Sequence, residues 1–362
     1  MTKATAALHA TGQSIWLDNI TRDLLDSGTL KRYIDTLDVT GLTSNPTIFD
    51  QAIAKSNFYD RSIAEKAKKT ADEELFFELA IEDLSRAADL FKPIFDSTQH
   101  QDGYVSLEVS PRLADDTNGT IKEAKRLFAL AKRPNLFIKI PGTAAGIKAI
   151  EESVFAGIPV NVTLIFSREQ YLAAAEAYVR AIERRVAQGL DPKIASVASL
   201  FVSRWDKAVA DKTPKDLANQ MGIAVSKRCY RAYRELLASP RWAKLAKAGA
   251  IPQRLLFAST GVKDPSLDEG FYISALAAPD TVNTMPEKTL KAFAETGKVG
   301  AVLTNDGGDC EKVIAAFEKA GVDMTAVANQ LQIDAKKSFN DSWDDLLKVI
   351  EDKSHILKDA AA

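Results

Sequence analysis

Short apolar runs alternate along the chain with longer stretches in which apolar residues recur every three or four positions. The short runs are Ser14–Leu17, Val39–Leu42, Tyr104–Val109, Leu136–Ile140, Ile158–Leu164, Ile194–Leu200, Leu255–Ala258 and Thr281–Met285. They are too short for helices and several are rich in Val and Ile, which predicts strands. Between them, Glu73–Phe95, Thr120–Ala131, Ala144–Val154, Arg168–Val186 and Thr213–Leu237 read as helices with one apolar face. Strand alternating with helix predicts parallel pairing, because a parallel neighbour is reached only through a crossover. Eight such units favour a closed (β/α)8 barrel of the α/β class over an open doubly wound sheet. Val299–Leu303 is a second candidate for a strand near the end of the series.

Beyond the barrel pattern, Val327, Leu331, Ala335, Phe339, Trp343 and Leu347 recur every four residues, and Ile350 continues the face. That spacing draws one apolar stripe along a long C-terminal helix, expected to lie across the barrel. Packing, rather than a lid role, is the simpler reading of the stripe. No Pro/Gly/Ser-rich linker or composition shift divides the chain. The expectation is one domain over 1–362 with a helical extension at about 309–358.

Composition removes several function classes. Lys and Arg number 47 against 49 Asp and Glu, which leaves no basic excess for a nucleic-acid footprint. The histidines are His9, His100 and His355, and the cysteines Cys229 and Cys310. Those numbers argue against a multi-histidine metal site, a four-cysteine zinc site or a disulfide framework. The N-terminal segment lacks the apolar core of a signal peptide, and no run reaches the ~18 apolar residues of a membrane span. A cytoplasmic protein without a metal site or membrane contact is expected.

The polar residues at the ends of the apolar runs carry the candidate chemistry, because barrel enzymes build their sites at the C-terminal mouths of the strands. In chain order these are Asp18, Asn45, Glu108, Lys139, Asn161 with Thr163, Ser199 and Ser259. Side chains alternate faces along a strand. If Lys139 points into the barrel with Phe137, then Leu136, Ile138 and Ile140 face the helices. The same parity turns Glu108 inward with Ser106, and Asn161 inward with Thr163. A lysine between two isoleucines is costly unless its ammonium is paired or its charge is lost. Taken singly, each residue has an ordinary reading. Lys139 reads as a snorkelling strand-end lysine, Asp18 as a helix N-cap, Glu108 as a salt-bridge partner and Asn45 as a turn residue. All of them on the inward parity of one barrel are harder to explain that way. A lysine held by apolar walls has a lowered pKa, so its neutral amine attacks a carbonyl and forms a Schiff base. Glu108 suits the proton transfers of that step through a water, and Asp18 suits the base that takes a substrate hydroxyl proton. PGTAAG at 141–146 matches no phosphate-loop fingerprint and reads as a turn entering a helix. The EKAKK run at 65–69 reads as a solvated helix face.

With these residues in view, the chain resembles the transaldolase family, in the form common in actinobacteria. The resemblance covers nearly the whole length. Its most specific marks are WLDNITRDLLDSG, GLTSNPTIF, SLEVSP, NLFIKIPGT, PVNVTLIFS and PDTVNTMPEKTL. It implies a class I, Schiff-base-forming (β/α)8 enzyme of the pentose phosphate pathway that needs no cofactor. Such an enzyme moves a dihydroxyacetone unit from sedoheptulose 7-phosphate to glyceraldehyde 3-phosphate, giving erythrose 4-phosphate and fructose 6-phosphate. The resemblance places the Schiff-base lysine on Lys139, the acid/base aspartate on Asp18 and the water-positioning glutamate on Glu108. Asn45, Asn161, Ser199 and Ser259 fall on its substrate contacts, Thr163 on its water-orienting threonine and Arg204 on a phosphate contact. Where the better-known pattern reads Ser-x-Arg, this chain has Ser259-Thr260-Gly261, and the next cation, Lys263, takes the second phosphate contact. Two alternatives are a related class I aldolase that releases free dihydroxyacetone and a non-catalytic barrel that binds sugar phosphates.

Overall fold

The computed structural model describes residues 3–70 and 72–359. Its strands, in chain order, are β1 Ser14–Asp18, β2 Val39–Thr43, β3 Val105–Glu108, β4 Leu136–Pro141, β5 Val160–Ile165, β6 Ser196–Phe201, β7 Gln253–Ala258 and β8 Val282–Met285. Each falls on one of the expected apolar runs. They pair in parallel in the spatial order β2-β1-β8-β7-β6-β5-β4-β3, with a helical crossover outside each step. The remaining seam, between β2 and β3, is joined by main-chain hydrogen bonds. Gly103 N–H donates to the Thr40 carbonyl at 3.1 Å and Leu42 N–H to the Tyr104 carbonyl at 3.0 Å. The sheet is thus a (β/α)8 barrel. The expected domain also takes in residues 1, 2, 71 and 360–362, which lie outside the described residues.

The barrel floor is packed with rings and one buried polar cluster. Phe137 stacks on Tyr104 with centroids 4.1 Å apart and meets Trp16 at 6.0 Å. Trp16 Nε1 donates to Asp102 at 2.8 Å, and Ser14 donates to the same carboxylate. Gly41 on β2 makes room for this: a Cβ there would lie 2.6 Å from the Trp16 indole.

Three expectations change in detail. Val299–Leu303 forms no strand; Gly300 and Leu303 instead donate main-chain hydrogen bonds to Ser274 and Ala277, and β8 is Val282–Met285. The helix expected over Thr213–Leu237 starts only at Met221. Asn219 adopts a left-handed φ of 59°, and the Asp206 carboxylate accepts the Met221 and Gly222 N–H groups, so the helix begins where Asp206 satisfies its free donors. The C-terminal extension is two helices, Cys310–Lys319 and Met324–Asp359, separated at Gly321 with φ 91°. The 141–146 turn does enter a helix: Thr143 caps Ala144–Phe155 by accepting from Gly146 N–H at 3.0 Å.

Helix Met324–Asp359 crosses the barrel mouth. Gln332 Nε2 donates to the carbonyls of Gly142 at 3.1 Å and Leu164 at 2.9 Å, at the ends of β4 and β5. The Arg112–Asp344 and Lys336–Asp115 ion pairs hold the helix to the loop after β3, and Lys353–Asp60 holds its far end.

Candidate active site

A cavity of about 270 Å³ opens at the C-terminal ends of the strands. Asp18, Asn45, Lys139, Thr163, Ser199, Arg204, Ser259 and Lys263 all line it. Residues far apart in sequence thus meet because they lie on or just after the C-terminal ends of six strands, β1, β2, β4, β5, β6 and β7. Glu108 and Asn161, which stand in register with Lys139 on either side, do not line it.

Lys139 is only 5 % exposed. Its Nζ lies 3.0 Å from Glu108 Oε2 and donates to the Ser44 carbonyl at 3.0 Å, and the Phe339 ring centre is 5.6 Å away. The expected apolar walls are therefore replaced by a carboxylate, a carbonyl and one ring. Glu108 is as buried as its partner. Apart from Lys139, neither of its oxygens has a hydrogen-bond partner among the described residues. Burial pushes its carboxyl pKa up, against the pull of Lys139, and the negative charge of Asp18 adds to the rise.

Asp18 ends β1 and does not cap the following helix; Thr21 does, accepting Leu24 N–H at 3.1 Å. Asp18 accepts instead from the Thr43 hydroxyl at 2.7 Å. Burial raises its pKa, while Lys139, Thr43 and Lys263 hold it down. Two buried carboxylates thus flank one lysine, both less readily ionised than in water.

The remaining polar side chains divide by depth. Asn161 accepts from Ser199 at 2.7 Å and donates to Ser106 at 3.1 Å, so its amide braces Ser199 and does not line the cavity. Asn45 Oδ1 caps helix Pro46–Ala54 through Ile48 N–H at 3.1 Å, which realises the turn reading while the residue still lines the cavity. Thr163 precedes a bulge in β5, where the register slips and Leu164 takes a φ of 59°. Its buried hydroxyl has no hydrogen-bond partner among the described residues. Ser259 has φ 53° and exchanges a 3.0 Å hydrogen bond with Ser203.

Two cations sit at the rim without a carboxylate partner among the described residues. Arg204 lies against the Phe201 ring, 5.2 Å from its centre, and burial lowers its pKa. The pKa of Lys263 is lowered by burial and then by the charges of Arg204 and Lys207. The neighbouring Asp264 is not its partner; that carboxylate binds Ser266 and Asn219. The two positive charges act on one another at the rim, with Asp334 partly offsetting Arg204 and Asp18 partly offsetting Lys263.

A model of the transaldolase/fructose-6-phosphate aldolase family matches residues 15–350. The chain belongs to that family. It is an enzyme of the transaldolase family, and every site residue named above falls inside the matched span. Among its relatives, a protein named transaldolase from Renibacterium salmoninarum is 43% identical over 97% of both chains. Another from Arthrobacter sp. is 44% identical, again over 97% of both. A third, from Thiobacillus denitrificans, is 44% identical over 94% of this chain and 97% of its own.

Several lining residues escaped the sequence reading: Thr43, Gln51, Thr284, Ser338 and Phe339. Thr43 stands in GLTSNP and Thr284 in NTMP, inside segments that carry the family resemblance. Phe339 was legible only as part of the apolar stripe. The structure gives that stripe a second role, since Phe339 and Ser338 wall the cavity beside Lys139.

Proposed function

We propose that this chain is a transaldolase that carries a dihydroxyacetone unit on Lys139, from sedoheptulose 7-phosphate to glyceraldehyde 3-phosphate, in the cytoplasm. The observation that supports this best is the buried Lys139, with Glu108 at 3.0 Å and Asp18 across the same cavity, which Arg204 and Lys263 also line. Glu108 takes the proton that the Lys139 ammonium must lose before its lone pair attacks the ketose carbonyl. A carboxyl with a raised pKa is the better base for that transfer and returns the proton readily when the carbinolamine loses water. Thr163 offers its hydroxyl to orient that water. Asp18 then removes the proton of the hydroxyl next to the scissile bond. The carbon–carbon bond breaks, an aldose leaves, and its electron pair is held as an enamine by the nitrogen of Lys139. Reversal with a second aldose gives the new ketose.

Transfer differs from simple aldol cleavage in what meets the enamine next. The wall of helix Met324–Asp359 over Lys139 supports transfer, since it restricts water during the exchange of aldoses. Incubating the protein with fructose 6-phosphate and erythrose 4-phosphate tests this. Sedoheptulose 7-phosphate should form at a rate well above the release of free dihydroxyacetone without acceptor. Equal rates would assign the chain to the aldolase reading, and no turnover with or without acceptor would assign it to a binding barrel.

Arg204 and Lys263 are the groups that would hold the sugar phosphate. The terminal phosphate of each substrate is remote from the bond that breaks, so its binding energy holds the sugar in register with Lys139. Arg204→Ala should cost tenfold to a hundredfold in kcat/KM on fructose 6-phosphate, the equivalent of about 1.5–3 kcal/mol for a charged hydrogen bond. Lys263→Ala should cost less, because a compact ammonium lacks the two parallel donors of a guanidinium. Both penalties should largely vanish with unphosphorylated fructose. Steady-state kinetics on the two sugars decides this, and an equal loss on both would show that these cations do not read the phosphate.

A further inference from the structure

We propose that Thr284, on β8, is a positioning residue that holds the Asp18 carboxylate ionised through the hydroxyl of Thr43. β1 lies between β2 and β8, so Asp18 has one neighbour on each side. Asp18 stands in register with Thr43, and Thr284 with Trp16, the previous inward position of β1. The Thr43 hydroxyl lies 2.7 Å from Asp18 Oδ1 and 2.7 Å from the Thr284 hydroxyl. Both threonines line the cavity, yet they are only 3 % and 2 % exposed.

The direction of this chain follows from its protons. An ionised Asp18 can only accept, so the single hydroxyl proton of Thr43 points at it. Thr43 then has none for Thr284, and Thr284 must donate to Thr43. Two aligned hydroxyl dipoles therefore point toward the carboxylate, and each polarises the next. A protonated Asp18 still accepts at Oδ1, but as a neutral acceptor it gains less from the two dipoles than the carboxylate does. The arrangement thus favours the ionised form, against the burial that raises the pKa of Asp18. The charged groups acting on Asp18 from the other elements are Lys139 on β4, Lys263 after β7 and Glu108 on β3. None of them is moved by a change at Thr284.

The mechanistic use of this chain rests on the role proposed for Asp18, whereas its existence does not. Thr284→Val keeps the shape of the side chain and removes the donor. The Asp18 titration should be followed by carbon NMR on protein labelled at the aspartate carboxyls, its resonance assigned by its loss in Asp18→Asn. Thr284→Val should raise the Asp18 pKa by about one unit, tenfold in the protonation equilibrium. Thr43→Val, which removes the direct donor, should raise it further, and Thr284→Ser should restore the wild-type value. An Asp18 titration unchanged in Thr284→Val would overturn the proposal, as would a serine variant that behaves like valine. In the same variants, the acidic limb of the kcat/KM profile should move up with the carboxyl. If the titration moves and that limb stays, the hydroxyl chain stands and the role proposed for Asp18 fails.

Discussion

Lys139→Ala is expected to abolish transfer, with kcat lower by on the order of 10⁴-fold or more, as when a covalent nucleophile is lost elsewhere. The fold should survive, and its stability should acquire a specific pH dependence. The substitution strands Glu108, buried and without another partner among the described residues. In the native protein the attraction of Lys139 opposes the rise in the Glu108 pKa, so removing it sends that pKa further up. A carboxyl whose folded pKa lies above its unfolded value stabilises the fold fully below the unfolded pKa. That contribution is lost as pH rises through the folded value. Thermal melts from about pH 5 to about pH 8 should therefore show Lys139→Ala losing Tm relative to wild type as pH increases. A difference independent of pH would mean that Glu108 is not left charged and unpaired.

Asp18→Asn should lower transfer by about 10²–10⁴-fold, the usual cost of losing a general acid or base. The loss should fall on cleavage and not on adduct formation. Asparagine keeps an oxygen for the Thr43 hydroxyl, so the geometry at the end of β1 is preserved while the base is removed. Ketose adducts should accumulate. Borohydride should then trap the intact six-carbon sugar phosphate on the variant, where wild type gives the three-carbon unit. Glu108→Gln should do the opposite and slow both formation and hydrolysis of the adduct. Failure of Asp18→Asn to form any adduct, with normal trapping in Glu108→Gln, would exchange the two roles.

Most of the barrel was legible because parallel strands under helices are buried on both faces and appear as unbroken apolar runs. Against such a background a lysine at position 139 stands out, and inward parity alone groups it with Glu108, Asn161 and Thr163. Depth was not legible. Parity cannot tell that Asn161 is taken up by Ser199 and Ser106, or that Glu108 turns to Lys139 and leaves the cavity wall. The late start of the helix at Met221 was hidden because its cap, Asp206, comes from a different helix. Thr43 and Thr284 passed unnoticed for a similar reason. A buried threonine in a strand is ordinary, and only the return of β8 beside β1 brings the two hydroxyls together at Asp18. The C-terminal stripe was read correctly as packing, but that reading is incomplete: periodicity identifies the face of a helix and says nothing of what lies under one turn of it.

Which lysine carries the sugar, Lys139 or another, is decided by trapping it. The cavity holds one other lysine, Lys263, and burial lowers its pKa, which makes it the natural rival as a nucleophile. Borohydride added during turnover of fructose 6-phosphate converts an iminium to a stable secondary amine, and peptide mass spectrometry then locates it. The expected result is the reduced three-carbon unit on the peptide containing Lys139 and on no other, with labelling lost in Lys139→Ala and retained in Lys263→Ala. Label on Lys263, or turnover of the sugar with no labelled lysine at all, would contradict the account.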